Sequence, residues 1–128
     1  MHLEIRPWRK SDAKSLQKHA NNRAVAANLT DQFPHPYTLK HAKAFIKIQE
    51  EFGSFDKYIW SFTGNKTIKN SYKTLKDIPA TSKESDAMSK DLKKRGFKFV
   101  GSTICYAFMQ AAGMVNDHEV GCFRYNEV

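Results

Sequence analysis

Apolar residues recur at helical spacing through most of the 128-residue chain. Ala13, Leu16 and Ala20 share a face behind a cap at Ser11 or Asp12, and Ala42, Phe45, Ile46 and Gln49 or Phe52 form the stripe of a helix that Thr38 caps and Gly53 ends. Ser54 opens a further helix with Phe55, Ile59 and Phe62 on one side and Tyr58 beside them, before a turn at Gly64-Asn65. Arg23 to Leu29 reads as a short helical piece ahead of the loop Phe33-Pro34-His35-Pro36, where each proline biases its predecessor out of the helical region. Two stretches read as extended: Leu3 to Arg6, alternating apolar and polar before Pro7, and Thr67 to Lys69.

Lys90 to Gly113 is the most clearly punctuated stretch. A capping box at Thr81-Ser82-Lys83-Glu84 opens a helix that runs to Arg95 and stops at Gly96. Gly101 closes a short turn, and Ser102 or Thr103 caps a second helix, Thr103 to Ala112, ended by Gly113. The loop Phe97-Lys98-Phe99-Val100 is thus held between two glycines, the pattern of a helix-hairpin-helix. Met88, Phe97, Phe99, Phe108 and Met109 read as core, Trp8 and Trp60 as packing residues, and Val115 to Phe123 as one or two last helical turns. The expected fold is mainly α, a helix-hairpin-helix globule with one short N-terminal strand that pairs with Thr67–Lys69, pairs with a second copy, or lies exposed.

Charge turns this outline toward an anionic partner. Lysine and arginine number 21 against 13 acidic residues, a net charge of +8. Backbone N–H groups at the start of the second hairpin helix lack intrahelical acceptors, and the helix dipole adds partial positive charge there. Lys93, Lys94, Arg95, Gly96, Lys98, Gly101, Ser102 and Thr103 are therefore the candidate contacts to a sugar-phosphate backbone, none of which reads a base. An ordinary helical hairpin with a solvated basic face would use the same residues. A hydrophobic content of 41% suits a soluble domain; no apolar run is long enough to span a bilayer and none resembles a signal peptide, so a cytoplasmic protein without a membrane partner is expected. The two cysteines read as reduced thiols. His118 and Cys122, spaced i and i+4, would face one side of a helix and could share a zinc ion, but a structural site needs four ligands.

From about Ala42 to Tyr125 the words FIKIQEEFGSFDKYIWSF, IPATSKESDAMSKDLKKRGFKFVGSTICYAFMQ and GMVNDHEVGCF resemble the C-terminal half of DNA-3-methyladenine glycosylase I, a base-excision-repair family of the helix-hairpin-helix superfamily. The resemblance implies that the N-terminal half, where most of that family's substrate pocket lies, has no counterpart. Tyr106 and Ala107 would be a remnant of the pocket wall, with no catalytic residue retained. It implies too that His118 and Cys122 are two of four zinc ligands, a vestigial half-site, so no cofactor is expected. Glu50, Glu51, Asp56 and Glu84 read as solvated helix residues.

The opening, IRPWRKSDAKSLQKHANNRAVAANLTDQFPHPYTLKHAKAFI, resembles the first strand and helices of a GNAT-type N-acetyltransferase over about 46 residues. That family's glycine-containing pyrophosphate loop has no counterpart among six scattered glycines, so neither acetyl-CoA nor acetyl transfer is expected. An acetyltransferase-like segment 1–41 and a glycosylase-like segment 42–128 would form a single fused, chimeric globule over 1–128. The expected function is weak, sequence-independent binding of duplex DNA without catalysis. The alternatives are a structural relic of a gene fusion with no ligand and, third, residual DNA-3-methyladenine glycosylase activity. Helix faces uncovered by the missing half would favour a homodimer.

Overall fold

Thr38 opens its helix as expected: its hydroxyl accepts from the His41 N–H at 3.4 Å, while His41 Nδ1 accepts from the Thr38 N–H at 3.3 Å, so a histidine fills the acidic place of a capping box. In this computed structural model, which describes Arg6, residues 9–20 and residues 38–128, five α-helices are found among the described residues. They are α1 (Ala13–Ala20), α2 (Leu39–Phe52), α3 (Phe55–Trp60), α4 (Lys83–Lys94) and α5 (Ser102–Ala111), with two short strands, β1 (Ile68–Lys69) and β2 (Val115–Asn116). The fold is mainly α. None of these helices is long and apolar enough to cross a membrane.

The described residues group into two compact units, one comprising those up to Tyr58 with Arg95–Phe99, the other Ile59–Lys94 with Val100–Val128. In the first, a 3-10 turn at Lys10–Asp12 leads into α1. Asp12 accepts from both guanidinium nitrogens of Arg6 and from the Arg9 N–H, and these bonds, that of Arg6 foremost, hold its carboxyl down to about 2. The apolar face of α1 meets that of α2: Ala13, Ala42 and Ile46 are buried, with Leu16, Leu39 and Phe45 packed against them. Ile48, two positions past Ile46 and so on nearly the opposite side, is also fully buried. Gly53, at φ +84, ends α2, and Ser54 caps α3 by accepting from the Lys57 N–H at 3.0 Å. Phe45, Phe52, Phe55, Tyr58 and Phe97 form a ring cluster with neighbouring centroids 4.9–6.4 Å apart.

In the second unit the expected turn forms at Gly64 and Asn65, both at positive φ, and the chain then runs into β1. The partner of β1 is β2, in parallel, with Ile68 opposite Val115. The expected N-terminal strand, Leu3–Arg6, lies outside the described residues except for Arg6, as do Arg23–Leu29 and the proline-rich loop. The segment after Gly113 is not helical: Val115–Asn116 is a strand, and only Phe123–Asn126 forms a 3-10 turn. Strand pairing draws these residues out of the helical region because Ile68 and Asn70 donate to Met114 and Asn116 at 2.9 and 3.1 Å. Asn116, nearly fully buried, donates to the carbonyls of Tyr125 and Val128 and so fastens the following segment.

Helices α4 and α5 pack through Met88, Leu92, Cys105, Tyr106 and Met109, all buried. The cap of α4 is displaced by one residue from the expected box. Ser82 and Ser85 bond each other's N–H groups, at 3.2 and 2.8 Å, because Ser82 and not Thr81 precedes the first helical turn. Phe99 and Phe108, expected in the core, are 54% and 42% exposed.

Candidate nucleic-acid interface

Helix α4 ends at Lys94, and Gly96 takes the left-handed conformation at φ +94 that an ordinary side chain avoids. The loop is closed by a hydroxyl: Ser89 Oγ donates to the Val100 carbonyl at 2.5 Å. Gly101 is the N-cap of α5, its carbonyl accepting from the Cys105 N–H at 2.9 Å. The N–H groups of Ser102, Thr103 and Ile104 therefore precede the first intrahelical bond of α5. Neither Ser102 nor Thr103 caps this helix, contrary to expectation, because Ser102 is already its first residue. Its hydroxyl donates instead to the Asp86 carboxylate and lies 2.8 Å from Ser85 Oγ.

Besides Gly96 and Ser102, the residues expected to meet phosphate fall into three groups. Lys93, Lys94, Lys98 and Thr103 are exposed, the two former also favourably placed in the last turn of α4. At Gly101, a Cβ would meet no atom within 4 Å and φ is ordinary, so the backbone there can be approached closely. Arg95 is otherwise engaged: its guanidinium forms a two-pronged pair with Glu51 at 2.7 and 3.1 Å and lies 5.2 and 5.1 Å from the ring centres of Phe52 and Tyr58.

Of the two residues expected to remain from a pocket wall, Ala107 is exposed and Tyr106 is buried. Tyr106 Oη donates to Asp117 at 2.5 Å, and burial, reinforced by that bond, pushes its hydroxyl well above the usual tyrosine range. Asp117 also accepts from Gln110 at 2.9 Å and Asn70 at 2.7 Å, and with Thr67, Ile78 and Asn116 it lines a cavity of about 400 Å³ that neither Tyr106 nor Ala107 reaches. Asp117 was not legible as an organising residue, since its partners come from two separate segments, α5 and the stretch after β1. Of the carboxylates expected on solvated surfaces, Glu50 pairs with Lys10 at 3.1 Å and Glu84 with Lys83 at 3.8 Å.

His118 and Cys122 sit in a turn and not on a helix, yet that turn brings Cys122 Sγ within 3.9 Å of His118 Nδ1. Adjacent ligands of one tetrahedral zinc are about 3.5 Å apart, given bonds of about 2.3 and 2.0 Å. The pair is thus spaced to share a metal, but no group of three or more potential ligands assembles among the described residues. Purified protein should carry well below one zinc per chain, and a chelator should leave its melting midpoint unmoved; a stoichiometric ion in elemental analysis, with a midpoint lowered by chelation, would refute this.

Residues 35–125 match the methyladenine glycosylase family. Over 85 residues the chain is 49% identical to DNA-3-methyladenine glycosylase 1 of Escherichia coli (strain K12), an alignment covering 66% of this chain and 46% of that protein. The DNA-3-methyladenine glycosylase of Haemophilus influenzae is 45% identical over 84 residues, covering 66% and 45%. The chain thus spans about half the length of the curated relatives it matches. Among solved structures, the solution structure of a 3-methyladenine DNA glycosylase I superposes with a TM-score of 0.67 at 40% identity, covering 88% of this chain and 62% of that one. A crystal structure of 3-methyladenine DNA glycosylase I gives 0.62 at 33% identity, covering 89% and 71%.

Proposed function

The chain belongs to the methyladenine glycosylase family, and on that footing we propose that its α4–α5 hairpin is a helix-hairpin-helix that binds the backbone of duplex DNA weakly and without sequence preference. The observation that carries this reading is the open space beside Gly101, next to the unbonded N–H groups that begin α5 and in a stretch bearing the exposed Lys94 and Lys98. Base excision is not part of it, because a glycosylase must also enclose the flipped base, and the two pocket-wall residues are an exposed alanine and a tyrosine committed to Asp117. Residues 1–34, ahead of the family match, are on this reading outside that chemistry. The exposed Ile104 and Phe108 of α5 favour self-association.

Titration of a labelled random-sequence duplex at about 50 and about 200 mM salt tests the proposal. The expected dissociation constant is about 10⁻⁴ to 10⁻⁶ M near physiological salt, and Lys94→Ala or Lys98→Ala should each reduce the salt slope by about 0.9. Release of 3-methyladenine from alkylated DNA should be undetectable. One observation favours the reading as a ligand-free relic: the Asp86 carboxylate, bonded to Ser102, places negative charge where a phosphate would sit. Absence of salt-dependent binding would decide for the relic.

A further inference from the structure

Phe99 follows the exposed Lys98 and takes φ +56, a left-handed conformation that costs a bulky side chain free energy and that glycine would adopt without strain. The ring is 54% exposed and meets no other ring among the described residues, whereas Phe97, two positions earlier, lies half-buried with its ring 6.4 Å from Phe55. An aromatic side chain is thus held outward at a strained position in a loop whose exposed neighbours in sequence, Lys93, Lys94 and Lys98, are cationic.

We propose that Phe99 is an apolar anchor that enters the minor groove of duplex DNA and buries its ring against the deoxyribose walls; this rests on the DNA-binding reading above. Charge selects the occupant. A duplex groove offers an apolar sugar wall between two lines of phosphate, the complement of a phenyl ring beside lysine. A second copy of this chain, carrying the same net charge of +8, would bring like charges together around the ring.

Apolar burial releases no counterions, so its signature differs from that of a lysine. In the duplex titration Phe99→Ala should weaken binding about tenfold at both salt concentrations with an unchanged slope, whereas Lys98→Ala should flatten the slope. Phe99→Gly should lose the same affinity while melting no lower than the parent, which separates a lost contact from a damaged fold. Binding by Phe99→Ala and Phe99→Gly within about twofold of the parent, with the Lys98→Ala effect intact, would overturn the anchor and leave the DNA reading standing. A parent protein that binds no duplex would overturn both.

Discussion

Asp117→Ala should cost about 3 kcal/mol of folding stability, a large part of the roughly 5–15 kcal/mol available to a domain of this size. The carboxylate collects donors from Asn70, Tyr106 and Gln110, and Tyr106 is 2% exposed, so removing the acceptor takes from a buried phenol the carboxylate it donates to. The melting midpoint should fall by roughly 10 °C. Asp117→Asn keeps the shape but replaces one acceptor by a donor facing other donors, and should be nearly as damaging, whereas Tyr106→Phe removes donor and need together and should cost only about 1 kcal/mol. The raised pKa of Tyr106 adds a pH signature. The unfolded chain loses this proton near the ordinary value of about 10 while the folded one retains it, so this contribution is fully present below about pH 10 and declines above it. A loss under about 1 kcal/mol for Asp117→Ala in urea titration would refute the assignment of Asp117 as the organising acceptor.

Arg95→Ala should destabilise the protein by about 2 kcal/mol and leave the salt slope of DNA binding unchanged. Much of that loss comes from packing, since the side chain is 20% exposed and its guanidinium lies near the Phe52 and Tyr58 rings. The ion pair contributes less, about 1 kcal/mol or below, because Glu51 is 46% exposed and solvent screens it. Arg95→Lys should recover under half of the loss, since an ammonium cannot reproduce the two-pronged bond to Glu51 or a flat approach to the rings. Denaturation and duplex titration on the same variants decide the matter. A salt slope reduced like that of Lys98→Ala, with stability intact, would return Arg95 to the phosphate contacts.

Local punctuation was legible in the sequence because its causes are local. Thr38, Gly53, Ser54 and Gly96 act within a few residues, and each appears where spacing and residue type place it. Events set by distant partners were hidden. Val115 and Asn116 read as helical because nothing near them reveals that Ile68 and Lys69 will lie alongside, and His118 and Cys122 therefore meet across a turn. Ser102 has the residue type of a cap, but its hydroxyl is claimed by Asp86, 16 residues earlier. Residue type also misled at Phe99 and Phe108, whose hydrophobicity predicts burial although the backbone holds them at the surface.

The spacing of these links orders the folding of the second unit. Those fastening α4 to α5 span short lengths of chain, 11 residues from Ser89 to Val100 and 17 from Ser85 to Ser102, whereas Asn70 meets Asp117 across 47. Closing the longer loop has the greater entropic penalty, and a parallel ladder two residues long returns little toward it. The helical pair should therefore assemble early and the strands zip last. In native-state hydrogen exchange the order runs backwards: the amides of Ile68 and Asn70 should exchange through a partial opening that leaves those of Met109 and Ala112 protected.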